Sequence, residues 1–194
     1  WKKQEPSDLK KWSEELRGDR RLVLFDHFGS MDDDDVINRI RYMAKGCDCK
    51  WVFVDHLSLI ISGRDDGNER KAIDILMTKL RSLCHEAKIG MLLACHLRRL
   101  DNDKGHEEGK QVSLSHLRGS HSIAQLSDAV IGMERNQQDD DEIAKNTSTI
   151  RVLKNRYAGT TGVGSYLLYS TENGRMTEID NPFKENADEF ETQE

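Results

Sequence analysis

Apolar positions along this chain follow two periods. Val36, Ile37, Ile40 and Met43 recur at helical spacing, and so do Ile73, Leu76, Met77, Leu80 and Leu83 over a longer stretch. The acids Asp32, Asp33, Asp34 and Asp35 stand at the start of the first of these helices, where the helix dipole favours negative charge. A further helix is expected over residues 7–16, capped by Ser7 with Asp8 in its first turn. Strands are expected over 21–28, at the start of 51–61, and over 89–96, whose near-continuous apolar character suits a parallel strand buried on both faces. Residues 129–133 read as another buried strand. Residues 149–157, 165–169 and 175–179 read as an antiparallel extension. Between these runs, 62–68 is a polar loop, 137–146 an acidic loop, and 113–127 helical in part. Residues 97–112 form a polar loop of a length that usually marks function or disorder.

Strand, helix, strand, helix, strand is the order of an α/β domain with a parallel sheet, expected here over residues 1–180. Residues 181–194 are expected to be an acidic, disordered tail. Composition adds little to this picture. Of 194 residues, 36% are hydrophobic and 33% charged, and the net charge of −6 means that any nucleic-acid contact must come from a local basic patch. No apolar run reaches the roughly 18 residues that would span a membrane, and no signal peptide is visible. Cys47 and Cys49 are too tightly spaced for the usual zinc pair and have no matching second pair, while Cys84 and Cys95 lie in apolar runs. Reduced thiols in a cytoplasmic protein are the plain reading. The chain starts at Trp1 and not at Met, so it is expected to be cut from something longer.

In parallel α/β sheets, ligands bind at the carboxyl ends of the strands. Two runs end there in Asp-His: "RLVLFDHF" at Asp26 and "KWVFVDHL" at Asp55. A carboxylate after an apolar strand is the arrangement that holds Mg²⁺ beside nucleotide phosphates. Asp55 is favoured over Asp26 because a polar loop, a long helix and the strand "IGMLLACH" follow it. His96, ending that strand, can donate to a γ-phosphate and change its hydrogen bonding after hydrolysis; the plain alternative is a satisfied strand-end histidine. In "IRVLKNRYAG" a strand would put Lys154 and Arg156 on one face, roughly 7 Å apart, as a clamp for a phosphoryl group; a solvated strand face is the usual alternative. The phosphate cradle G-x-x-x-x-G-K-[ST] is not found in the 194 residues, and "GHEEGKQ" has the wrong glycine spacing and Gln111 in place of the hydroxyl.

"VFVDHLSLI", "ERKAIDILMTKL", "CHLRR", "KGHEEGKQVSLSHLRGS", "QLSDAVIGMERNQQ" and "RVLKNRYAGTTGVGSYLLY" together resemble the C-terminal helicase domain of the bifunctional primase–helicases of T-odd podoviruses. These are DnaB-like hexameric replicative helicases with a RecA-type core, and the mitochondrial helicase Twinkle is a relative. The resemblance runs in order from about Leu22 to Tyr169 and is most specific from Asp55 to Arg135. It implies a RecA-like P-loop NTPase fold, N-terminally incomplete here, and an ATP-dependent motor that couples hydrolysis to movement on single-stranded DNA. Asp55 matches the Walker B aspartate that faces Mg²⁺, and His96 the histidine that links γ-phosphate to the DNA loops. Arg98, Lys104, Arg118 and Gly119 fall in the loops that hold the single strand. Gln125 and Arg135 match polar residues near the nucleotide, ATP or dTTP. Lys154 and Arg156 match the pair that reaches the next subunit's nucleotide, Arg156 as the arginine finger, which implies a ring, usually a hexamer. Tyr169 matches an aromatic that stacks on the base.

The family's P-loop and the glutamate that follows it would lie upstream of Trp1, and the chain alone is expected to be inactive. Ala124 stands where a basic residue is expected, and residues 137–147 are longer and more acidic than the family pattern. The acidic tail with Phe190 resembles a docking peptide for the replicative DNA polymerase; a solubilising tail is the alternative. Two rival functions stay open: a RecA-like recombinase or related ring ATPase, and a fragment that only assembles and binds DNA.

Overall fold

The computed structural model describes residues 6–18, 22–25, 32–61, 69–98, 105–118 and 121–183. Asp26, the loop 62–68, Lys104, Gly119 and residues 184–194 of the tail lie outside the described residues. The chain divides into two compact units. One takes in residues 4–98 and 117–127, the other 1–3, 99–116 and 128–194.

The first unit is layered α/β. Its described elements are α1 (Pro6–Gly18), α2 (Asp33–Gly46), β1 (Trp51–Val54), α3 (Leu57–Ile61), α4 (Glu69–Ala87), β2 (Gly90–Leu93) and α5 (His121–Leu126). α1 opens on Pro6, a residue whose fixed φ suits a first helical turn, so Ser7 lies inside the helix and not before it. α2 starts as its acids require: the Asp32 side chain accepts a hydrogen bond from the Asp34 N–H at 3.0 Å. Asp33 is fully buried, 3.8 Å from the Lys79 ammonium of α4. The buried faces are the ones the periodicity marks. Val36, Ile37, Ile40 and Ala44 of α2 meet Ile73, Leu76, Met77, Leu80 and Leu83 of α4 in one core with Val52, Leu57 and Ile123. Glu86 of α4 accepts from Lys45 and Arg41 of α2, and those two hydrogen bonds hold its carboxyl below the ordinary value.

β1 and β2 pair in parallel, Trp51 opposite Gly90 and Phe53 opposite Leu92. The Trp51 ring lies across the Gly90 Cα so closely that a Cβ there would strike it. The expectation of a sheet buried on both faces fails here. Val52 is buried, but Phe53 is 73% exposed, Trp51 64% and Leu92 46%. Only one face rests on the core helices, and β2 is four residues long where eight were expected. The expected strand over 21–28 is also not seen in its described part. Residues 22–25 carry no strand, and Leu24 is 74% exposed. The Arg39 guanidinium lies over the Phe25 ring of this segment, at 5.1 Å.

The second unit is a four-stranded antiparallel sheet in the order β3 (Ala129–Glu134), β4 (Thr147–Asn155), β5 (Gly162–Tyr169), β6 (Met176–Ile179). The extension read from the sequence is present, and β3 belongs to it. β3 is not fully buried as expected: Ile131 and Met133 are 62% and 59% exposed, while Gly132 and Glu134 face inward. Alternation of this kind is what a one-sided antiparallel strand shows. The acidic stretch 137–146 is not all loop either. Asp141 caps α6 (Glu142–Asn146), accepting from the Ala144 N–H at 2.7 Å. None of the four cysteines forms a disulfide, and burial pushes the Cys95 thiol up.

Candidate nucleotide and DNA interface

In the first unit, parallel pairing brings the two expected strand ends together. Ala94 N–H donates to the Val54 carbonyl at 2.9 Å and Leu57 N–H to the Ala94 carbonyl at 3.0 Å, so the chain leaves both strands at one edge. Asp55 and His96 emerge there, both exposed. His56 packs its ring edge-on against His96, with centroids 4.2 Å apart. Its Nδ1 is buried without a hydrogen-bond partner among the described residues. The sequence reading gave His56 no role. The repeated Asp-His pair was the signal for it, but the ring contact needs both strands in place.

Beyond His96 the chain pairs back on itself. Leu97 bridges Leu117, and the Arg118 N–H donates to the His96 carbonyl at 3.1 Å. The candidate phosphate sensor and a candidate DNA contact are therefore one backbone hydrogen bond apart. The Arg118 guanidinium lies 3.3 Å from Glu69, at the first turn of α4. Arg98 is exposed at the same β2 exit, and Gln125 is exposed on α5. Among the described residues no group of three or more His, Cys, Asp or Glu is poised to hold a metal ion. Mg²⁺ at a nucleotide site commonly takes one or two carboxylates, with phosphates and water completing its shell, so Asp55 has the chemistry such an ion needs.

In the second unit, Lys154 sits opposite Val130 in the β3–β4 ladder. Arg156 lies just beyond the strand that was expected to carry both cations. It is the first residue after β4, in a turn where the Asn155 side chain accepts from the Tyr157 and Ala158 N–H groups and Gly159, at φ +71°, closes back on Asn155. Arg156 is tied to Asp128 twice: its N–H donates to the Asp128 carbonyl at 2.8 Å, and its guanidinium lies 3.2 Å from the Asp128 carboxylate. Arg135 is engaged in the fold. It donates to the Lys145 carbonyl at 2.7 Å and to Asn146 at 3.1 Å, closing the C-terminal end of α6. Tyr169 ends β5, half-buried, opposite Met176.

Sequence comparison places these residues in a lineage. The chain is 39% identical over 163 residues to a DNA helicase/primase of Enterobacteria phage T3, an alignment covering 84% of this chain and 28% of that protein. It is 28% identical over 148 residues to a probable plasmid replicative DNA helicase of Chlamydia psittaci, covering 76% of this chain and 31% of that one. The chain thus spans less than a third of the length of either relative. The family model for the DnaB-like helicase C-terminal domain matches residues 2–178. This chain belongs to the DnaB-like helicase C-terminal domain family, whose fold is the RecA-like α/β core.

Proposed function

We propose that the chain is the C-terminal part of a replicative DNA helicase motor, which hydrolyses a nucleoside triphosphate between subunits of a ring and moves along single-stranded DNA. The observation that carries this reading is the short path at the β2 exit. Asp55 and His96 share the strand-end edge, and the His96 carbonyl accepts from Arg118. A change in hydrogen bonding at His96 on loss of the γ-phosphate would move Arg118 directly.

Asp55 would hold Mg²⁺, directly or through water; when bound, the ion neutralises charge on the β- and γ-phosphate oxygens. His96 would read the γ-phosphate of ATP or dTTP. Arg98, Lys104, Arg118 and Gly119 would hold the DNA backbone, and Gln125, Arg135 and Tyr169 would lie about the nucleotide. Arg135 would act there through its hold on α6. Lys154 and Arg156 would serve the next subunit's nucleotide, in a ring that is a hexamer in our reading. The acidic tail, 181–194, would dock the replicative polymerase. The relatives' names, helicase/primase and replicative helicase, support the same activity.

The test is Arg156→Ala in the complete reading frame that contains these residues. DNA-stimulated hydrolysis and fork unwinding should fall on the order of 1000-fold, the usual contribution of an arginine finger, with nucleotide binding retained. Unchanged turnover would remove Arg156 from that role.

A further inference from the structure

We propose that Asp128 is the positioning residue for the Arg156 guanidinium. The inference rests on the finger reading above and adds a residue that neither the sequence pattern nor the comparisons single out.

A finger must present its fork to a phosphoryl group it does not own, and a long side chain on a turn has many rotamers to lose. The fold restricts them. Asp128 is the residue before β3 and Arg156 the residue after β4, and the flanking pair Ala129 and Asn155 are ladder partners. The two residues therefore face each other across the open end of the ladder. The Arg156 N–H donates to the Asp128 carbonyl at 2.8 Å, which fixes where the Cα stands. The Arg156 Nη1 lies 3.2 Å from an Asp128 carboxylate oxygen, a charge contact that is not aligned as a hydrogen bond and that draws the side chain toward Asp128. The Asp128 side chain is 28% exposed and that of Arg156 47%. The brace is thus the more buried partner, and about half of the cation still faces solvent. Guanidinium has five donors in a planar fork that suits phosphate oxygens, so the direction in which it is held matters to its task. An isolated surface ion pair would be worth little. Here the pair is backed by a main-chain bond between the same two residues, and this makes it an orienting contact.

Asp128→Ala removes the carboxylate and leaves the carbonyl that receives the Arg156 N–H, so the ladder end keeps its register. Measured in the complete reading frame, kcat should fall about 100-fold, as for a misplaced catalytic group, with KM for nucleotide nearly unchanged. Asp128→Asn, which keeps an acceptor oxygen, should fall in between. Because the finger serves a neighbour, the defect should also complement in trans. Asp128→Ala subunits mixed with Asp55→Asn subunits should hydrolyse faster than the sum of the two alone, because an intact Arg156 then reaches an intact nucleotide site. Normal kcat in Asp128→Ala beside a dead Arg156→Ala would overturn the positioning role and leave the finger reading standing. Absence of complementation, where Arg156→Ala does complement, would show damage to the subunit's own site and overturn it as well. A fully active Arg156→Ala would sink the finger reading itself.

Discussion

Single residues carry the proposed chemistry here, and two of the cations proposed to meet phosphate, Arg118 and Arg156, are already paired with acids. Arg118 lies 3.3 Å from Glu69, with side chains 52% and 49% exposed, so solvent screens the pair and its strength is modest. DNA phosphate and Glu69 then compete for one guanidinium. Glu69→Gln should tighten single-strand binding at low salt by about two- to fivefold, and the gain should vanish as salt screens the pair, as read by anisotropy of a labelled oligonucleotide. Arg118→Ala should weaken binding and reduce the slope of log K against log salt by about one. A tighter grip in Glu69→Gln that persists at high salt would argue against simple competition. Asp55 and His96 were legible as residues because strand-end polarity shows in a linear pattern. The partners Glu69, His56 and Asp128 were not, since each meets its cation or ring only across a chain separation that no local period records.

At the scale of elements, helix faces were the most readable feature. The repeat from Ile73 to Leu83 became the buried side of α4, with Leu76 wholly buried. Strand limits were less readable. The run is apolar from Ile89 to Cys95, but its strand ends at Leu93, opposite Val54 at the end of β1. β3 shows what holds the second sheet. Glu134 is buried and accepts two hydrogen bonds from Arg151 of β4, at 2.7 and 3.0 Å, and one from the Val112 N–H at 2.8 Å. The hydrogen bonds to Glu134 raise Arg151 above the ordinary guanidinium value. Glu134→Ala strands a mostly buried cation and a buried N–H together, so it should cost about 3 kcal/mol, seen as a lower urea midpoint. Replacing both partners with apolar residues of similar volume should cost much less. A loss below about 0.5 kcal/mol in the single variant would mean the clamp is not structural.

The whole molecule enters through assembly. If Arg156 acts on a neighbour's nucleotide, specific activity is a property of the ring and not of the subunit. Hydrolysis per subunit should therefore fall on dilution, along the same curve as the oligomer measured by light scattering. A flat activity through dissociation would place the finger in cis.

The sequence by itself determined the α/β class, the amphipathic faces of α2 and α4, the carboxylate at Asp55, the histidine at His96 and the antiparallel C-terminal strands. Each is written in local periodicity or in residue type at a strand end. Family likeness in ordered motifs added the proposed roles. Only the tertiary structure decided which apolar residues are covered, where β2 stops, and which acid holds which cation. Burial and ion pairing depend on what lies opposite in space, and the chain's linear pattern does not specify that. Asp128 and Arg156 make the point: 28 positions apart in the numbering, they face each other because β3 and β4 pair in one register.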